Sequence, residues 1–174
     1  MSPSGVSESA GRSLRTVGVQ DVLPIEVPHY RARRQVGRTR TPVPASIGDL
    51  VLDFHRAFNL PHNREPTLDV SPETAALRLR LLAEESAELE EAIEREDLRA
   101  LADALADITY VVFGTAITYG IDLEAVVREV HRANMSKLDA RGRPVMRPDG
   151  KVLKSERYVP PNVSAVIALQ PPLF

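Results

Sequence analysis

Apolar residues recur at helical spacing in four stretches of this 174-residue chain, separated by short polar breaks. Ile47, Leu50, Val51, Phe54 and Phe58 make a stripe that predicts a helix from about Ile47 to Asn59, capped by Ser46 with Asp49 three residues on and stopped by Pro61. After the loop PHNREPTLDV, the triplet Ser71-Pro72-Glu73 supplies a cap, a first-turn proline and an acid near the positive helix end. The helix it opens, about Pro72 to Arg95, has one apolar face of Ala75, Leu79, Leu82, Leu89 and Ile93 and a second of Leu77, Leu81 and Ala92. Two apolar faces on one helix suggest that the protein is not a monomer. A third helix runs from Leu98 to Tyr119 or Gly120, where glycine suits a left-handed C-cap. Its expected core stripe is Leu98, Leu101, Leu105, Ile108 and Val112. A fourth starts at Asp122 as N-cap and continues through EAVVREVHRANMSK to Lys137. The expected fold class is all-α.

Both flanks differ from this pattern. Residues 1–45 are rich in Pro, Ser, Gly and Arg with little periodicity and read as a disordered basic extension. The domain is then 46–174. Beyond Leu138, RPVMRPDGKVLK places a Pro-Asp-Gly turn between two short extended runs and reads as a hairpin or ordered loop, followed by a short apolar end.

Charge sharpens the division. Residues 1–46 hold seven Arg against three acids, and the remainder holds fifteen basic against twenty-one acidic residues. An acidic domain is a poor nucleic-acid partner. Without cysteine there is no disulfide, zinc-thiolate or thiol chemistry. No run of about 18 apolar residues stands out as a membrane span, and the N-terminus lacks the apolar centre of a signal peptide, so a cytoplasmic protein is expected.

The chemistry concentrates in LLAEESAELEEAI. Glu84, Glu85 and Glu88 fall within one turn of the second helix and are interleaved with its second leucine face, whereas Arg80, Glu90 and Glu94 mark the solvated side. Like charges so close oppose helix formation unless a cation neutralises them. One helix later Asp103 and Asp107 stand four apart, with Tyr110 and Gly114 extending the stripe. Aspartate is a poor helix-interior residue. Two readings are open: solvated or arginine-paired acids, or a carboxylate cage for Mg²⁺, with Mn²⁺ as an alternative. Such a cage would hold a polyphosphate, with a spare glutamate as general base for phosphoanhydride hydrolysis. Walker, GxSxG, HExxH and GxGxxG motifs are absent. His131 is read as packed or solvated. Asn134 and Lys137, and on the later loop Lys151, Lys154 and Tyr158, are candidates for a charged ligand or for plain solvent exposure.

LLAEESAELEEAI, LADALADITYVVFGTAITYGIDLEAV, EVHRANMSK and DGKVLK together resemble the MazG-like all-alpha nucleotide pyrophosphohydrolases, relatives of dimeric dUTPases and phosphoribosyl-ATP pyrophosphohydrolase. The resemblance covers about Leu50 to Val163. It implies a four-helix bundle completed by dimerisation, as homodimer or homotetramer, and Mg²⁺-dependent cleavage of a nucleoside triphosphate between the α and β phosphates. It also implies roles: Glu85 and Glu88 match the family's E-x-x-E, Glu84 an extra acid, and Glu84 or Glu85 the water-activating base. Asp107 matches the aspartate of E-x-x-D. Asn134 and Lys137 match phosphate contacts, and Phe54 and His55 a region near the base, with Tyr110 alongside as a substrate contact. Ala104 stands where that motif has glutamate. Asp103, about 40° from Asp107 on the helix, is expected to substitute; the alternative is a weakened site. Phosphoribosyl-ATP hydrolysis and a non-catalytic helical module are the competing functional expectations.

Overall fold

The computed structural model describes residues 45–174. All but the last residue of the extension expected over 1–45 lies outside them. The described residues form five helices: α1 (Ile47–Ala57), α2 (Pro72–Glu94), α3 (Leu98–Thr118), α4 (Leu123–Met135) and α5 (Val163–Leu169). Four match the expected helices to within two residues at each end. The fifth, two turns capped by the Asn162 side chain on Ala165 N–H, replaces the expected short apolar end. Its seven residues were too few to show a period.

Local chemistry sets each boundary. Ser46 and Asp49 form the reciprocal capping box predicted for α1, at 3.1 and 3.0 Å. Ser71 caps α2, and Asp97 accepts from Arg99 and Ala100 N–H to start α3. Asp122 caps α4. Gly120 ends α3 with φ +68, and a Cβ there would collide with the Glu65 carbonyl oxygen. Glycine is required on both counts. Around the Pro148-Asp149-Gly150 turn, Met146 and Val152 pair as a single antiparallel bridge.

α3 is the central element, with α2 antiparallel along one side and α1 against its C-terminal half. Val51, Leu52 and Ile117 are buried there, with Phe113 and Phe174 packed on them. The α1–α2 loop is tied to the end of α3 by Asn63 N–H to Ile117 O (3.0 Å), Asn63 Nδ2 to Thr118 O (2.7 Å) and Thr67 N–H to Tyr119 O (3.0 Å). The chain's end returns to the same region: Gln170 bridges Gly120 O and Asp122 N–H, and Leu173 N–H donates to Arg64 O. α4 packs on α5, where Glu129 holds Arg132 through two 2.8 Å bonds and accepts from Asn162 N–H.

One expectation about packing is corrected. The face of α2 turned to α3 carries Arg78 and Ala92, which are buried, while Leu79 and Ile93 of its other apolar face are 71% and 60% exposed. On α3 the buried positions are Ala104, Gly114, Ala116, Ile117 and Thr118, and Leu98 and Leu105 are 72% and 50% exposed. Periodicity identified the apolar stripes, but within a single chain the small residues are what lets the two helices approach. α3 is also, by its 21-residue length and composition, apolar enough to cross a membrane, contrary to the sequence expectation. It is flanked by α1 and α2 and carries Asp103 and Asp107, which are costly in lipid.

Candidate active site

Glu84, Glu85 and Glu88 come from the middle of α2, and Asp103 and Asp107 from the N-terminal half of α3. The antiparallel packing sets these segments opposite one another. Glu85 is half-buried while the other four are exposed. Its carboxyl is held above the usual range, first by desolvation, then by the charges of Glu88, Asp107, Glu84 and Asp103. All five expected acids therefore share one electrostatic site, and among the described residues no cation contributes to it. Oxygen donors of this kind suit a hard divalent ion. Among the described residues no three acids or histidines are already gathered tightly enough to grip one, so the side chains have to close in around an ion.

Ala104 is 3% exposed and sits in the α2–α3 contact, so that position is filled by packing. Asp103, one residue earlier, keeps its carboxylate outside the seam and within the field felt by Glu85.

Beside the acids stands an aromatic group. Tyr110, one turn beyond Asp107, meets Phe54 of α1 edge-on at 5.5 Å, and Phe54 contacts Phe58 at 4.4 Å. Phe58, the last residue of the apolar stripe read from sequence, is 65% exposed and belongs to this group. His55 is buried behind it. Its Nδ1 donates to Pro61 O (2.9 Å), and desolvation with the neighbouring Arg78 charge holds its pKa below the ordinary value.

Among the described residues, none of the remaining expected substrate contacts forms a hydrogen bond or ion pair with the five acids. Lys137 Nζ donates to Asn134 Oδ1 (2.7 Å) at the end of α4, Lys154 stacks over Tyr158 at 4.4 Å, and Lys151 is exposed on the hairpin. His131 is exposed, as read from sequence. Sequence reasoning missed Arg78, buried on α2 against His55 and Gly114. Its only signal is a lone cation on the carboxylate face, seven residues before Glu85.

Residues 51–134, from the first turns of α1 to the end of α4, match the profile of the phosphoribosyl-ATP pyrophosphohydrolase family. Over that stretch, just under half of its length, the chain is similar to this family. All five acids and the aromatic group lie inside the matched residues. An uncharacterized protein of Acanthamoeba polyphaga mimivirus is 34% identical over 95 residues, covering 53% of this chain and 36% of the viral protein. The chain thus spans little more than a third of that curated relative.

Proposed function

We propose that the domain is a divalent-metal-dependent nucleoside triphosphate pyrophosphohydrolase that cleaves between the α and β phosphates, giving a nucleoside monophosphate and pyrophosphate. The observation that carries this reading is Glu85, set among four further carboxylates with no cation among the described residues to answer them. Glu85, Glu88, Asp103 and Asp107 would hold Mg²⁺ or Mn²⁺, which when bound neutralises phosphate oxygens and orients them. Glu84 or Glu85, whichever is left free, takes the proton of the attacking water. The raised pKa of Glu85 brings its basicity closer to that task. Tyr110 and Phe54 offer ring faces and edges to the base. Asn134, Lys137, Lys151, Lys154 and Tyr158 supply the phosphate-facing amide, cations and hydroxyl.

Because those cations form no hydrogen bond or ion pair with the acids among the described residues, and because Leu79, Ile93 and Leu98 are open, the working form is a homodimer or a pair of dimers that joins the two sets. This reading places the enzyme in cytoplasmic nucleotide metabolism. A second substrate reading, phosphoribosyl-ATP, is favoured by the family profile itself. Product analysis separates the possibilities. Nucleoside triphosphates and phosphoribosyl-ATP are incubated with the protein, with Mg²⁺ or with chelator, and pyrophosphate and orthophosphate are quantified. Metal-dependent pyrophosphate release is expected; orthophosphate alone, or metal-independent release, contradicts the proposal.

A further inference from the structure

Arg78 is 7% exposed, its Nε is sealed from solvent without a hydrogen-bond partner, and among the described residues no carboxylate pairs with it. A buried guanidinium left in this state is costly. Native structures keep such a group where something outside the fold completes it. The local packing is built around it. Gly114 lacks a Cβ, and one added there would stand 2.9 Å from His55 Nε2 and 3.1 Å from Arg78 Nη1. The glycine thus lets the imidazole of α1 and the guanidinium of α2 lie together against the α3 backbone. His55 uses Nδ1–H on Pro61 O, which leaves Nε2 as the acceptor of the ring.

Position decides what this pair meets. Arg78 and Glu85 are seven residues apart on one face of α2, as are Gly114 and Asp107 on α3, a separation of about 10 Å along each helix. Tyr110 lies between Asp107 and Gly114, with Phe54 against it. From one end of the seam to the other the order is carboxylates, aromatic rings, then guanidinium and imidazole. A nucleoside triphosphate has the same order: metal-bound phosphates, a flat sugar–base unit, then the hydrogen-bonding edge of the base.

We propose that Arg78 is a specificity-determining residue, donating to a carbonyl oxygen or ring nitrogen on the edge of the substrate's base while His55 Nε2 accepts from a neighbouring N–H. The inference rests on the pyrophosphohydrolase reading for the placement of the phosphates. It differs from that reading in assigning the only buried, unpaired cation of the α2–α3 seam among the described residues to the base and not to the phosphates.

Two experiments on the full chain test it. Arg78→Met is expected to raise KM for nucleoside triphosphates about tenfold or more, with kcat within about threefold. Turnover of the same sugar triphosphate lacking a base should not change, and Arg78→Lys, without the planar fork, should fall between. Equal losses on both substrates, or no loss on either, overturn the proposal. The second experiment needs neither turnover nor a variant. The sealed Arg78 Nε–H, followed by ¹⁵N NMR, should shift when a free nucleoside is added and stay in place with inorganic tripolyphosphate and Mg²⁺. A shift with tripolyphosphate, or none with any nucleoside, overturns the assignment. If the wild-type protein releases no pyrophosphate from any substrate, the pyrophosphohydrolase reading fails, and the NMR result still decides the role of Arg78.

Discussion

The two halves of α3 live in different surroundings. Its C-terminal half is enclosed within the chain: Ile117 packs with Val51 and Leu52, Thr118 is fully buried, and the α1–α2 loop and the residues around Gln170 and Phe174 close over it. Its N-terminal half packs on α2, buries Ala104, and leaves Leu98 and Leu105 open, as is Ile93 near the end of α2. The acids sit in this open half. The enclosed half supplies the chain's own stability, and the open half is where the proposed second subunit would dock.

Breaking the enclosed half should have the largest effect. Gly120→Ala puts a Cβ at a left-handed position and into the Glu65 carbonyl. A loss of about 3 kcal/mol or more is expected, read as a collapse of the thermal or urea midpoint. A near-normal midpoint would mean that the loop does not brace the end of α3. The same assault on the open half should do little to the single chain. Leu98→Ser with Ile93→Ser should keep the helical signal and change monomer stability by under about 1 kcal/mol, since both sites are already wet. Sedimentation should show dissociation, and activity should fall with it. Unaltered assembly would remove this face from the interface.

Smaller effects follow from protonation. His55 is buried with its pKa held below the ordinary value of 6.5. The folded protein therefore binds fewer protons than the unfolded chain once the pH drops below about 6.5. Stability should be full above that pH and decline below it, and His55→Gln should flatten the decline in a pH series of melting curves. The smallest effect belongs to Glu129, which Arg132 and Asn162 N–H hold at about 2, down from 4.5. Its contribution is present above 4.5 and is lost as the pH falls towards 2. Hydrogen exchange at α5 should speed up over that window in the wild type and be fast throughout in Glu129→Gln.

The four long helices were legible because caps and periodicity agree locally: the Ser46 box, Ser71-Pro72, Asp97, Asp122 and Gly120 each do in space what their side chains permit in sequence. The burial pattern was not. A helix with leucines on one face and alanine, arginine and glutamate on another gives no local sign of which side meets its neighbour within one chain, and here close approach selected Ala92 and Ala104. The acids could be grouped from spacing alone, as could Tyr110 with Asp107. Arg78 could not, because its importance lies in what it fails to contact. The cations at Asn134–Lys137 and beyond were legible as residues but not as neighbours, since no local pattern ties the end of α4 to Glu85, and Lys137 is instead bonded to Asn134.

The central claim is that the α2 and α3 acids act as one metal-dependent hydrolytic site, with Asp103 serving where Ala104 carries no carboxylate. Pyrophosphate release should therefore be measured against Mg²⁺ concentration for the wild type, Asp107→Asn and Asp103→Asn, with helical content checked on each. Asp107→Asn is expected to lower turnover by about 100-fold or more, and Asp103→Asn to raise the Mg²⁺ requirement as well as lowering the rate. Unchanged turnover and metal dependence in both variants, with the helices intact, would contradict it.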